Sequence, residues 1–199
     1  MDLLLGTSNM GKLREYKEML GELGVNLFST RDIGLEAMEV EEPYETFEEN
    51  AVHKARVYAQ ASGLITYADD SGVEVDALGG RPGVYSARYG GPTDRDRYMK
   101  LLGELENVPD PQRTARFVCI AAAADPQKDI VETAAGYVEG KIAHTPGEVL
   151  NGFGYDAVFI PDGYNRVFST FPPEEKNRIS HRGRAVRALI PALRRLLSS

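Results

Sequence analysis

Two short stretches carry the residue types that handle phosphate and water. GTSNMGK, Gly6 to Lys12, has the spacing G-x-x-x-x-G-K of a phosphate loop and follows an apolar run, Leu3 to Leu5. Thr7, Ser8 and Asn9 bring short side chains that bond phosphate oxygens, Lys12 adds a point charge, and backbone N–H groups at a helix start favour an anion. The pattern also wants Ser or Thr after the lysine to ligate magnesium, and Leu13 stands there instead. The competing reading is a strand-to-helix turn capped by Asn9. The stretch alone does not choose between them.

The second stretch is ADDSG, Ala68 to Gly72. A carboxylate at a strand end can hold a hard cation or take a proton from water. Alternation along a strand puts neighbouring side chains on opposite faces, so Asp69 and Asp70 need not share a role. Asp, Asp, Ser and Gly are also turn formers, and taken alone the turn is the better reading.

Further along, seven glutamates lie between Glu36 and Glu49. Most suit a solvated surface, and spacing does not say which of them bind a metal. Lys54 can be a surface residue or can point back at phosphate. GGRPGVYSARYGG reads as a shaped loop, with Arg88 a candidate for phosphate or for a second subunit. In NGFGYD, glycines flanking Phe153 let a flat ligand approach an aromatic face, against ordinary core packing of Phe153 and Tyr155. EEKNRISHRGRA offers donors from Lys176, His181 and Arg182 just before and at a helix start.

These residues need elements to position them. Leu3 to Leu5 predicts a buried strand. Leu13, Tyr16, Met19, Leu20 and Leu23 predict a helix stopped by Gly24, and residues 25–29 a second strand. Thr46 with Glu49 fits a capping box for a helix from Phe47 to about Ala61, ended by Gly63. LITYA predicts a strand delivering Asp69 and Asp70 at its C-terminal end, and VEVDAL a separate short strand. Thr93 caps a helix reaching Leu105. TARFVCIAAAA and DIVETAAGYVEG predict a long hairpin. Residues 141–180 read as loops with one strand near AVFI, and a last helix runs from Ser180 or His181 to Leu197, kinked at Pro191. Alternation in the first half and a hairpin in the second predict an α/β protein with a mixed sheet, whose ligands sit beyond strand ends.

Composition narrows the function classes. The chain has 199 residues, 42% hydrophobic and 27% charged, enough for one well-buried domain in two lobes. A net charge of −7 argues against a broad basic face for nucleic acid but not against a small phosphorylated ligand. The single cysteine, Cys119, excludes an internal disulfide framework. With no leader and no apolar run of spanning length, no membrane association and a cytoplasmic location are expected.

Taken in order, T-S-N-x-x-K, E-E-x-x-x-T-F-x-E-N-A-x-x-K-A, A-D-D-S-G-[VL]-x-V-x-A-L-G-G-x-P-G-V-Y-S-A-R-Y, G-F-G-Y-D and E-E-K-N-x-I-S-H-R-x-R-A make the chain resemble the inosine/xanthosine triphosphate pyrophosphatases from Gly6 to Ala185. The ADDSG-to-ARY block is the most specific part. The resemblance implies Mg²⁺-dependent hydrolysis of ITP, dITP or XTP to the monophosphate and pyrophosphate, cleansing the nucleotide pool of deaminated purines. It implies an elongated mixed β-sheet with helical lobes around a central nucleotide-binding cleft, one domain over 1–199, in a homodimer.

By motif, Thr7, Ser8, Asn9, Met10, Gly11 and Lys12 hold the phosphates. Asp70 is proton acceptor and metal carboxylate, Glu42 is a second metal carboxylate, Lys54 contacts phosphate, and Ser71 lies beside the substrate. Phe153, Gly154, Tyr155, Asp156, Lys176, His181 and Arg182 surround the nucleoside. EEPYETF departs from the commoner E-E-T-G-x-T-F, and Ala157 stands where the family usually has Pro. Leu13 is then acceptable, because the metal is held elsewhere. The competing readings are a pyrophosphatase of modified pyrimidine nucleotides, which G-F-G-Y-D and SHR oppose; a non-catalytic nucleotide sensor, which the retained carboxylates oppose; and a phosphate-loop kinase, which Leu13 opposes.

Overall fold

The computed structural model describes residues 1–198. Its six strands form one mixed sheet in the order β2-β1-β3-β4-β5-β6. β1 (Asp2–Leu5) runs parallel to β2 (Asn26–Ser29) and to β3 (Ile65–Val75). β4 (Thr114–Asp125) and β5 (Ile130–Ile142) are neighbours joined by residues 126–129, a connection short enough only for antiparallel strands. β6 (Phe159–Pro161) pairs antiparallel with β5. The expected mixed α/β sheet is thus what the chain forms. Among the described residues no helix is long and apolar enough to cross a membrane.

The chain divides into two compact units. The first comprises Met1–Asp70, Cys119–Gly136 and the chain from Arg182 onward; the second comprises Ser71–Val118 and Tyr137–His181. In the first unit, side-chain parity builds two layers. Leu3, Leu5, Tyr67, Cys119, Ala121 and Ala123 pack with Leu13, Tyr16 and Leu20 of α1 (Met10–Leu20) and with Val186, Leu189 and Leu193 of α5 (His181–Leu197). Ala68, Ala122 and Ala124 instead meet Ala51, Ala55 and Ala59 of α2 (Phe47–Ser62). In the second unit, Val73, Val75 and Phe117 pack with Leu101, Leu102 and Leu105 around α3 (Asp94–Glu104), and with Phe159, Phe168 and Phe171.

Helix starts follow their caps. Thr46 accepts from Glu49 N at 3.2 Å, and Thr93 with Asp96 completes a reciprocal capping box. α2 ends where Gly63 takes a left-handed φ.

Two expectations are corrected. β3 runs unbroken through ADDSG to Val75, so Asp69 and Asp70 lie in mid-strand, and VEVDAL is not a separate strand. β1 pairs with β3 only at Ile65–Tyr67, so it is the long neighbour β4 that carries the strand on and overrides the turn preference of these residues. Residues 141–180 are also not loops and one strand alone: a seven-residue helix, α4 (Pro173–Ile179), carries Lys176. Proline at its first position was the available signal. α5 continues through Pro191.

Candidate active site

Helix α2 presents two parallel stripes at i, i+4 spacing. Ala51, Ala55 and Ala59 face the alanines of β3 and β4, and small side chains on both sides let helix and sheet approach closely. One residue back, Asn50, Lys54 and Tyr58 form the second stripe, which reaches the acidic loop and β3. Asn50 exchanges two hydrogen bonds with the backbone of Tyr44, and its Nδ2 donates to Asp70 Oδ2 at 3.1 Å. Lys54 donates to Glu42 Oε1 and to the carbonyl of Asp69. Tyr58 donates to the carbonyl of Met38. The acidic loop before the helix, with five of the seven glutamates, is thereby held by three side chains of α2.

Asp69 and Asp70, consecutive on β3, point to opposite faces, as strand alternation requires. Asp69 Oδ2 accepts from Lys12 Nζ at 2.8 Å and lies 3.8 Å from Cys119 Sγ. Burial alone would raise its pKa, but Lys12, Lys54 and Arg182 outweigh that and hold the carboxyl at about 2. Asp70 has the reverse balance. Burial, and then the Glu42 carboxylate, push it up to about 6 against the pull of Lys12 and Lys54. Two adjacent carboxyls whose environments drive them apart have different work to do: one is a fixed charge, the other can exchange a proton near neutrality.

The loop from β1 to α1 starts where Gly6 donates to the Tyr67 carbonyl at 2.7 Å. A Cβ on Gly6 would sit 2.8 Å from Tyr58 Cδ2, so only glycine lets the chain pass α2 here. Asn9 caps α1, its Oδ1 accepting from the backbone N–H of Gly11 and Lys12. The capped turn is therefore present, and those two amides are engaged by Asn9. The hydroxyls of Thr7 and Ser8 and the Lys12 ammonium are the groups this loop offers an anion. Met10 is exposed. Arg182, grouped by the sequence with Phe153 and Lys176, has its guanidinium on Glu15 of α1 at 3.1 Å, with Tyr16, Asp69 and Cys119 as electrostatic neighbours. Burial would lower the Arg182 pKa, but Glu15 and these neighbours raise it, so it is a permanent cation.

Asp70 and Glu42 are the residues that suit a divalent metal. Both donate oxygen only, the choice of a hard cation, and the mutual repulsion that raises Asp70 is what such a cation relieves. Among the described residues no cluster of three or more His, Cys, Asp or Glu side chains forms.

The second unit holds the other sequence-predicted residues. Asp156 is buried, and its Oδ2 accepts from Phe153 N at 2.8 Å and from Lys176 Nζ at 2.6 Å. Gly152 has φ +81°, and a Cβ there would run into the Asp156 carboxylate. The Gly154 N–H donates to Asp94, and the Tyr155 hydroxyl to the Ser86 carbonyl. The result presents the half-buried ring of Phe153 with Lys176 Nζ 5.2 Å from its centroid. His181 is buried and stacks on Phe117, the ring centroids 4.6 Å apart and the planes nearly parallel. Ser71 follows Asp70 on β3 as the first residue of this unit. Asp156, Tyr155 and Lys176 are thus fixed inside, with Lys176 buried on Asp156, while the half-buried ring of Phe153 is the surface this loop presents.

Sequence reasoning missed Asn50 and Glu15. Asn50 stood inside the E-N-A-x-x-K-A motif with no role given, and its i, i+4 spacing from Lys54 was the signal. Glu15 had none, because its partner is 167 positions away.

A sequence profile of the Ham1 family matches residues 3–192. The chain is 44% identical over 191 residues to a dITP/XTP pyrophosphatase of Bacillus subtilis, with 94% of each chain covered. It is 47% identical over 194 residues to one of Thermus thermophilus, covering 96% of this chain and 91% of the relative. The solved structure of a HAM1 protein from Coxiella burnetii superposes with a TM-score of 0.86 at 38% identity, covering 98% of this chain and 99% of that one. The chain belongs to the Ham1 family.

Proposed function

We propose that this protein hydrolyses the non-standard purine nucleoside triphosphates ITP, dITP and XTP to the monophosphate and pyrophosphate. The observation that carries the reading is the Asp69–Asp70 pair: a permanent anion holding Lys12 beside a carboxyl poised near neutrality. Lys12, Lys54 and the hydroxyls of Thr7 and Ser8 bind the phosphates. Asp70 accepts a proton from water as the water oxygen bonds to the α-phosphorus, and the α–β bridging bond breaks with its electron pair leaving on pyrophosphate. Mg²⁺, held by Asp70 and Glu42, would supply positive charge against that developing on the phosphate oxygens.

In the second unit, Phe153 stacks on the base, and Lys176 and His181 supply donors, with Ser71 beside the substrate. Lys176 is donor-only. Hypoxanthine and xanthine carry an accepting oxygen at C6, whereas adenine carries an amino group there and sets donor against donor. A site built on such a hydrogen bond rejects the mismatched analogue by up to roughly 10⁴–10⁵-fold. Arg182 acts from the first unit, where it and Glu15 brace α5 against α1 beside Lys12. Resemblance and composition favour a cytoplasmic homodimer that binds no nucleic acid, which sedimentation of the purified protein checks.

The deciding assay is a panel of nucleoside triphosphates with Mg²⁺, products resolved by ion exchange. Pyrophosphate and monophosphate from ITP and XTP, with little from ATP, is the expected result. Diphosphate and orthophosphate as direct products would refute the reading. Lys12→Ala removes a charge-assisted contact worth about 1.5–3 kcal/mol. A loss in kcat/KM of roughly ten- to a hundredfold is expected. It should be the same for every triphosphate, because Lys12 meets no base; a loss confined to one base would remove Lys12 from the phosphate site.

A further inference from the structure

Asn50 is fully buried and every polar group of its side chain is used. Its amide cannot be turned round. Tyr44 N–H must meet the oxygen and Tyr44 C=O must meet the nitrogen, so the remaining N–H is committed to Asp70 Oδ2. The Tyr44 ring also packs edge-on against His53 of the same helix. Glu42 lies two residues before Tyr44. One side chain therefore fixes the backbone that carries Glu42 and the rotation of the Asp70 carboxylate at once, and the alanine stripe beside it fixes the helix on which it stands.

We propose that Asn50 is a positioning residue of the active site: it sets the acidic loop in register with β3, so that Glu42 and Asp70 are presented together to a divalent cation. This rests on the pyrophosphatase reading above only for its kinetic arm. Asn50 touches neither phosphate nor base; it acts through the two carboxylates.

The test compares wild type, Asn50→Ala, Glu42→Gln and the double variant. Mn²⁺ binding is read without nucleotide by the electron paramagnetic resonance of the free ion, and turnover is read with ITP and Mg²⁺. Asn50→Ala should lower kcat roughly ten- to a hundredfold, the worth of one hydrogen bond to a charged group. The KM for ITP should move by less than about threefold, since phosphate and base contacts are untouched. Mn²⁺ affinity should fall with kcat, and in the double variant the two losses should combine less than multiplicatively, because Glu42→Gln removes one of the two carboxylates through which Asn50 acts and leaves the other, Asp70, still dependent on it. An unchanged kcat, a rise confined to KM, or Mn²⁺ losses that multiply independently would each overturn the proposal. Where the alanine variant does not fold, Asn50→Ser, which keeps a donor too short for Asp70, takes its place with the same expectations. A wild type that binds Mn²⁺ but leaves ITP intact would remove the proposed function, while the Mn²⁺ comparison still decides the part played by Asn50.

Discussion

Asp70→Asn is expected to abolish most of the turnover and to raise the melting temperature. General-base catalysis is worth roughly 10²–10⁴-fold, and loss of a metal carboxylate adds to it. The stability effect follows from the same carboxyl. Its pKa is about 6 in the folded protein against an ordinary 3.8. A raised carboxyl favours the fold in its neutral form, so that contribution is complete below 3.8 and is lost as pH rises through 6. At pH 8 the wild type bears the whole penalty, on the order of 3 kcal/mol from a shift of this size. Asparagine keeps the shape and lifts the charge, though it accepts a weaker hydrogen bond from Asn50. A net gain of about 1–2 kcal/mol corresponds to roughly 2–8 °C in a chain of this length. Calorimetry in EDTA at pH 8, repeated at pH 5 and 4, should show the gap narrowing as pH falls. A lower melting temperature for the variant at pH 8 would contradict the assignment.

Asp69→Asn, one residue away, is expected to shift the melting temperature in the opposite direction. Asp69 is held at about 2, below its ordinary 3.8, so its stabilisation is present above 3.8 and lost only as pH falls through 2. Neutralising it leaves Lys12 and Arg182 without the buried anion that offsets them. Breaking such a pair costs about 3–5 kcal/mol, and an isosteric amide that still accepts one hydrogen bond belongs at the lower end. A fall of roughly 6–12 °C is expected across neutral pH. Equal signs for the two variants would show that the adjacent aspartates are not electrostatically distinct.

That difference was half legible in the sequence. Alternation along a strand already separates positions 69 and 70, and the order of motifs pointed to the family. The partners were not legible. Which cation meets which aspartate depends on α1, α2 and α5 arriving from positions 12, 54 and 182, and local patterns carry no such information. ADDSG read as a strand end because its residues favour turns in isolation; the neighbouring β4, distant in sequence, overrules that preference. Asn50 sat in plain view at the spacing that puts it beside Lys54, but an asparagine in a helix has no signature until the backbone it binds is known. Arg182 shows another limit: its residue type suits a base reader, and its ion pair with Glu15 of α1, 167 positions away, has no mark in the motif that carries it.

The two stripes of α2 differ by a single position, and each residue of an α-helix turns the next by about 100°. Inserting one residue between Thr46 and Asn50 would turn Asn50, Lys54 and Tyr58 toward the alanines of the sheet, and deleting one would leave alanine under the acidic loop. Point substitutions along this helix can be graded, but a shift in its length cannot: the packing face and the carboxylate-holding face would fail in the same step. A library of single-codon insertions across the gene should accordingly show a sharp gap over this helix, covering solubility and turnover alike.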